Sequence, residues 1–103
     1  MATDWTVVWS PRAKKTYFVV LDYLYENWSK RELHQFMKRV ELTILAIKRN
    51  PELFIASRQQ NKIRKAFVDK NNCFFYSIDA YKQQLIILTF YDNRQDPRKF
   101  KLV

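Results

Sequence analysis

The most apolar stretch of the chain, QLIILTFY at 84–91, puts apolar side chains on both faces of an extended segment. A strand built that way has neighbours on each side, so the chain must supply strands to flank it. Just before it, KIRKAFV at 62–68 turns at DKNN into CFFYSID at 73–79, which turns at AYKQ into the apolar stretch. This is an antiparallel meander. The chain has no glycine, so Asn71 and Asn72 are expected to take the positive φ that the first turn requires. The remaining neighbour must come from elsewhere, and WTVVW at 5–9, with Trp5, Val7 and Trp9 at period two, is the segment expected to lie beside the last strand.

Between WTVVW and the meander the period changes from two to that of a helix. Ser10-Pro11 is an N-cap followed by a residue pre-set for the first helical turn, and Ala13, Tyr17, Val20, Leu21 and Leu24 then form one stripe. Phe18 and Tyr25 lie off that stripe and are expected to pack on the second helix; the alternative is that, with Asp22, they are left for contact with a partner. SKRE at 29–32 reads as a capping box, and its helix carries Leu33, Phe36, Met37, Val40, Ile44 and Ile47 until Asn50-Pro51 stops it. The expected architecture is α+β, with an N-terminal strand, an αα-hairpin and a three-stranded antiparallel meander. Together they form one four-stranded antiparallel sheet with two helices on one face, and 1–103 form a single domain.

A chain of 103 residues with 48% hydrophobic and 17% aromatic residues can bury a core, and no apolar run reaches the length of a membrane span. The opening MATDWTVVWS has no basic segment followed by an apolar one, and Cys73 is the single cysteine, so a cytoplasmic location is expected. Nineteen Lys and Arg against ten Asp and Glu leave a net charge of +9. That field favours polyanions or an acidic protein partner.

The IRK at 63–65, the FFYSI at 74–78 and the DNRQDP at 92–97 occur in an order and spacing that resembles the RelE/ParE family of bacterial type II toxins, across 5–99. The resemblance implies a toxin of the plasmid-stabilising kind, held inactive by a cognate acidic antitoxin, with no cofactor and no metal. It also implies that the first strand lies next to the last. The RelE branch resembles metal-independent endoribonucleases that cut messenger RNA on the ribosome, with basic side chains on the sheet and an arginine after the last strand. Such a cut needs a base for the 2′-hydroxyl, positive charge on the phosphate and an acid for the leaving oxygen.

On this resemblance Arg64 and Arg94 fall at two of the family's basic positions, while Ala66 and Cys73 stand at two others. Neither alanine nor a thiol replaces a guanidinium. The pattern favours the ParE branch, which keeps the fold without the ribonuclease residues and poisons DNA gyrase. The alternative is a RelE-like mRNA endoribonuclease with Arg64, Arg94 and Tyr91 as catalytic candidates, and Lys62, Arg64, Lys65, Arg94 and Arg98 contacting nucleic acid or another target. A further alternative is a nucleic-acid-binding module without toxicity.

Other residues carry less. His34 shares its side of the helix with Lys38 and Glu41 and is expected to face solvent. Cys73 has no histidine near it in sequence and is expected to be a small buried hydrophobe. In YDNRQDPRKF at 91–100, Tyr91 is expected to cap the core, Asp92 and Asn93 to hold a turn, Arg94 to point to the functional face and Pro97 to end the excursion.

Overall fold

Ser10 joins the first strand to the first helix and ties both to the last strand. Its hydroxyl accepts from the Ala13 amide at 3.0 Å, capping the helix, and donates to the Leu88 carbonyl at 2.8 Å. The computed structural model describes residues 5–57 and 62–92. In chain order the elements are β1 (Thr6–Trp9), α1 (Pro11–Asn27), α2 (Lys30–Arg49), β2 (Ile63–Phe67), β3 (Asn72–Asp79) and β4 (Gln84–Asp92). Ser29 caps α2 by accepting from the Glu32 amide at 3.2 Å. Pro51 follows the Asn50 C-cap, where it cannot continue the helix.

The four strands form one sheet in the order β1-β4-β3-β2. β4 is central, beside β1 as expected. The pairings β2–β3 and β3–β4 are antiparallel, but β1 runs parallel to β4, with Thr6 opposite Gln84 and Trp9 opposite Ile87. The sheet is therefore mixed, which corrects the all-antiparallel expectation. The cause lies in the segment after α2. Ala56 bridges Arg64 in antiparallel fashion and the Ser57 amide donates to the Ile63 carbonyl at 2.8 Å, so this segment runs back along the edge of β2. That extra reversal leaves β2, and after two hairpins β4, pointing the same way as β1.

Both helices pack on one face of the sheet. Ala13, Phe36, Val40 and Ile47 meet Ala66, Phe74, Tyr76, Leu85, Ile87 and Phe90, with Trp5, Val7 and Trp9 of the N-terminal segment at the margin. Trp9, Tyr17 and Phe90 form an aromatic cluster whose ring centroids are 5.1 to 5.4 Å apart. Met37 lies on the apolar stripe of α2 yet is 40% exposed, at the mouth of a groove rather than in the core. His34 is exposed.

The two tight turns solve the lack of glycine differently from the expectation. Gln83, at φ 52°, is the one positive-φ residue among those described, so neither Asn71 nor Asn72 adopts that conformation. The Asp69 carboxylate instead accepts from the Asn71 and Asn72 amides, each at 2.8 Å, and holds the β2–β3 turn with a side chain.

Candidate functional site

Period two divides β2 sharply. Arg64 and Ala66 point to the helices, whereas Ile63, Lys65 and Phe67 point to the other face, which no described element covers. On β3 the corresponding open-face residues are Cys73, Phe75 and Ser77.

β4 adds a bulge. Tyr76 pairs with Ile87 but Phe75 pairs with Thr89, so Leu88 is an extra residue. An extra residue reverses the alternation beyond it. Phe90 therefore turns inward and closes the core, and Tyr91 turns to the open face. The expectation that Tyr91 caps the core is corrected by that bulge. Where β1 has ended, the Thr16 hydroxyl of α1 accepts from the Phe90 amide at 2.9 Å, which holds the end of β4 in place.

These registers bring Lys65, Phe67, Phe75 and Tyr91 together. The Lys65 ammonium lies 5.2 Å from the Phe67 ring centroid and 6.0 Å from that of Phe75, and Phe75 meets the Tyr91 ring at 6.3 Å and 60°. A cation resting on aromatic faces keeps part of its shell free for an anion, and the rings offer π-faces to planar groups. Phe67 is 54% exposed. Phe67 and Phe75 were not singled out in the sequence, although period two through KIRKAF places Lys65 and Phe67 on one face.

Cys73 lies in register between Phe67 and Tyr91 and is fully buried. Burial pushes its thiol up to about 11, with Asp92 adding to the rise and Lys65 opposing it. The thiol is protonated at neutral pH and is no nucleophile there.

The other predicted residues are dispersed. Arg64, opposite Tyr76, donates from Nη1 to the Phe54 carbonyl at 2.6 Å, and the Tyr76 hydroxyl donates to the Pro51 carbonyl at 2.7 Å. Both hold the segment after α2 against the sheet, on the side away from Lys65. Burial raises the Tyr76 hydroxyl above its ordinary range, with the Arg64 charge and the Phe54 contact working against it. Lys62 is exposed just before β2. Phe18, Asp22 and Tyr25 are exposed on α1, the two aromatics at 61% and 63%. Asn93, Arg94, Pro97 and Arg98 lie outside the described residues.

On the helix side, Trp9, Tyr17, Met37, Glu41, Ile44 and Leu45 line an apolar groove of about 360 Å³ beside β1. Tyr17 is raised by burial and then by the Glu41 charge. Among the described residues no helix is long and apolar enough to cross a membrane.

No family model and no curated protein sequence matches the chain. Solved structures do. A chain of the toxin-antitoxin complex RelBE2 from Mycobacterium tuberculosis matches at 18% identity and a TM-score of 0.62, covering 92% of this chain and 98% of that one. The YoeB/ParE toxin from Agrobacterium tumefaciens matches at 11% identity and 0.60, covering 84% and 96%. The YoeB dimer from Staphylococcus aureus matches at 17% and 0.57, covering 84% and 94%. The chain has the fold of the RelE/ParE-type toxins.

Proposed function

We propose that this chain is the toxin of a type II toxin-antitoxin module, of the bacterial, plasmid-stabilising kind, neutralised in the cytoplasm by a cognate acidic antitoxin. The observation that carries the reading is the fold, shared over nearly the whole chain with proteins whose structures are described as toxins or toxin-antitoxin complexes. Two features suit an acidic partner. The net charge is +9, and the exposed Phe18 and Tyr25, together with the groove beside β1, offer apolar surface on the helical side.

Of the two modes of action, a ParE-like, non-nucleolytic attack on DNA gyrase is the first reading. Among the described strand residues of the open face, Lys65 is the one cation, and the protonated Cys73 supplies neither base nor charge. One observation favours the second reading, a RelE-like endoribonuclease. The Lys65, Phe67, Phe75 and Tyr91 cluster suits a phosphate with adjacent bases, and Arg94 and Arg98 would add cations from the segment after β4. Ala66 carries no weight against cleavage, because it is fully buried on the helix side and a side chain at that position reaches no substrate.

Induction from a tightly controlled promoter tests the toxin reading: growth should arrest, and co-expression of an adjacent acidic open reading frame should relieve the arrest. Unimpeded growth at high expression of folded protein refutes it. In the same cells, loss of negative supercoiling marks gyrase as the target, and new 5′ ends within messages mark cleavage.

A further inference from the structure

At the end of the sheet where Tyr91 lies, but on the helix side, a cleft of about 400 Å³ separates the tip of the helical hairpin from the β2–β3 turn. That volume suits one small planar group with its substituents. Phe36, only 3% exposed, forms the base, and Trp28, the C-cap of α1, forms one wall while remaining 55% exposed. An indole left open beside a cleft offers a stacking surface that the core does not use.

Carboxamides make up one part of the polar lining. Gln35 on α2 and Asn71 on the turn each bring a carboxamide, with a donor and an acceptor in one plane. Such side chains read base edges. Arg39, one helical turn beyond Gln35, and Lys70 at the tip of the turn are both exposed and line the cleft, which places cations on both walls.

Two carboxylates also line it. Asp69 is engaged within the turn, where it accepts from the Asn71 and Asn72 amides at 2.8 Å and from the Asn72 side chain at 3.2 Å, and so holds Lys70 and Asn71 in place. Glu32 is exposed at the start of α2 and can accept from an exocyclic amine.

The cleft adjoins the open-face cluster. Phe67, Cys73 and Tyr91 are in register at the same end of the sheet, and the β2–β3 turn that carries Lys70 joins the two regions. One flexible polyanion could follow Lys65, Phe67 and Tyr91, pass Lys70 and enter the cleft.

We infer that the cleft between the hairpin tip and the β2–β3 turn binds one unstacked nucleotide of a single-stranded nucleic acid, with the base against Trp28, its edge met by Gln35 and Asn71, and a phosphate between Arg39 and Lys70. This depends on neither toxicity nor the identity of the target. It differs from general attraction to a +9 surface because it assigns affinity to named residues at one end of the molecule.

The test is fluorescence anisotropy of labelled octanucleotides, single-stranded RNA and single-stranded DNA in separate arms with a hairpin duplex beside them, titrated with the purified chain. Trp28→Ala should weaken single-strand binding about tenfold, as loss of one base stack does, and Trp28→Phe should restore most of it. Arg39→Ala and Lys70→Ala should each weaken binding more than Lys48→Ala, which removes the same charge from the far end of α2. This pattern in either the RNA or the DNA arm supports the proposal. Three results overturn it: no measurable binding, Trp28→Ala binding like the parent while folded by circular dichroism, or losses at Arg39 and Lys70 no greater than at Lys48. Displacement by polyglutamate, with the Trp28→Ala variant unaffected, also overturns it and assigns the surface to an acidic peptide.

Discussion

Arg64 and Lys65 are adjacent in sequence and on opposite faces of the sheet, so replacing each by methionine should give opposite phenotypes. Methionine keeps an unbranched apolar stem and removes the charge. At position 64 the loss is the bond to the Phe54 carbonyl at 2.6 Å, which holds the segment after α2 against β2. A hydrogen bond from a charged donor contributes about 1.5 to 3 kcal/mol net, and the half-buried setting argues for the low end, about 1.5 kcal/mol. For a domain of this size that lowers the melting temperature by about 6 to 12 °C. At position 65 the loss is a cation resting on two rings, about 0.5 kcal/mol at a partly exposed site and so about 2 to 4 °C. Thermal unfolding followed by circular dichroism measures both, and growth after induction measures toxicity below the melting range. Lys65→Met should abolish growth arrest with a small change in melting, and Arg64→Met should retain arrest with a large one. An Arg64→Met protein that melts like the parent yet has lost toxicity would refute the reasoning and place Arg64 at the functional surface.

Gln83 is the position where glycine is missed. A non-glycine residue at φ 52° bears about 1 to 2 kcal/mol of steric cost, against about 0.5 to 1 kcal/mol of extra backbone entropy that glycine loses on folding. Gln83→Gly should therefore raise the melting temperature by about 2 to 4 °C, and an unchanged or lower value would mean that the Gln83 side chain contributes more than its backbone costs. Cys73, with its thiol near 11 when folded and 9.0 as the ordinary value, stays protonated in the native state after the unfolded state has begun to ionise. Its contribution to stability is complete below pH 9 and lost as the pH rises towards 11. Urea midpoints measured across that range should fall more steeply for the parent than for Cys73→Ala, and parallel curves would count against a buried thiol.

Much of the fold was legible because strong local signals agreed. Ser10-Pro11, SKRE and Asn50-Pro51 bound the helices, and the two-faced apolar β4 demanded a central place with β1 beside it. The direction of β1 was not legible. It is set by the segment around Ala56, which reads as a loop and acts as a short edge partner of β2. The turn at 69–72 misled for a related reason: a carboxylate side chain satisfies the amides that a left-handed residue would otherwise have had to accommodate. The open-face cluster was half legible. Alternation in β2 pairs Lys65 with Phe67, but no sequence pattern announces the bulge at Leu88. A bulge is a property of two paired strands, and it appears only in their register.

That bulge decides more than where Tyr91 points. Without Leu88 as an extra residue, the alternation that buries Leu85 and Ile87 would also turn Tyr91 towards the helices and leave Phe90 on the open face. The core would then have to hold a second phenol besides Tyr76, and the four-residue cluster around Lys65 would lose the Tyr91 hydroxyl. With the bulge, the apolar ring closes the core against Trp9, Tyr17 and Phe74, and the ring with a proton to donate stands beside Phe75. One inserted residue thus shapes the core and the open face together. The register also changes how substitutions in β2 should be weighed: chemistry missing at Ala66 says nothing about activity, while a change at Lys65, one residue away, removes the one cation among the described strand residues of the open face. Any comparison with toxins of this fold that aligns β2 by one residue too many or too few will exchange a core position for an open-face position, and will misjudge which of them the chain resembles.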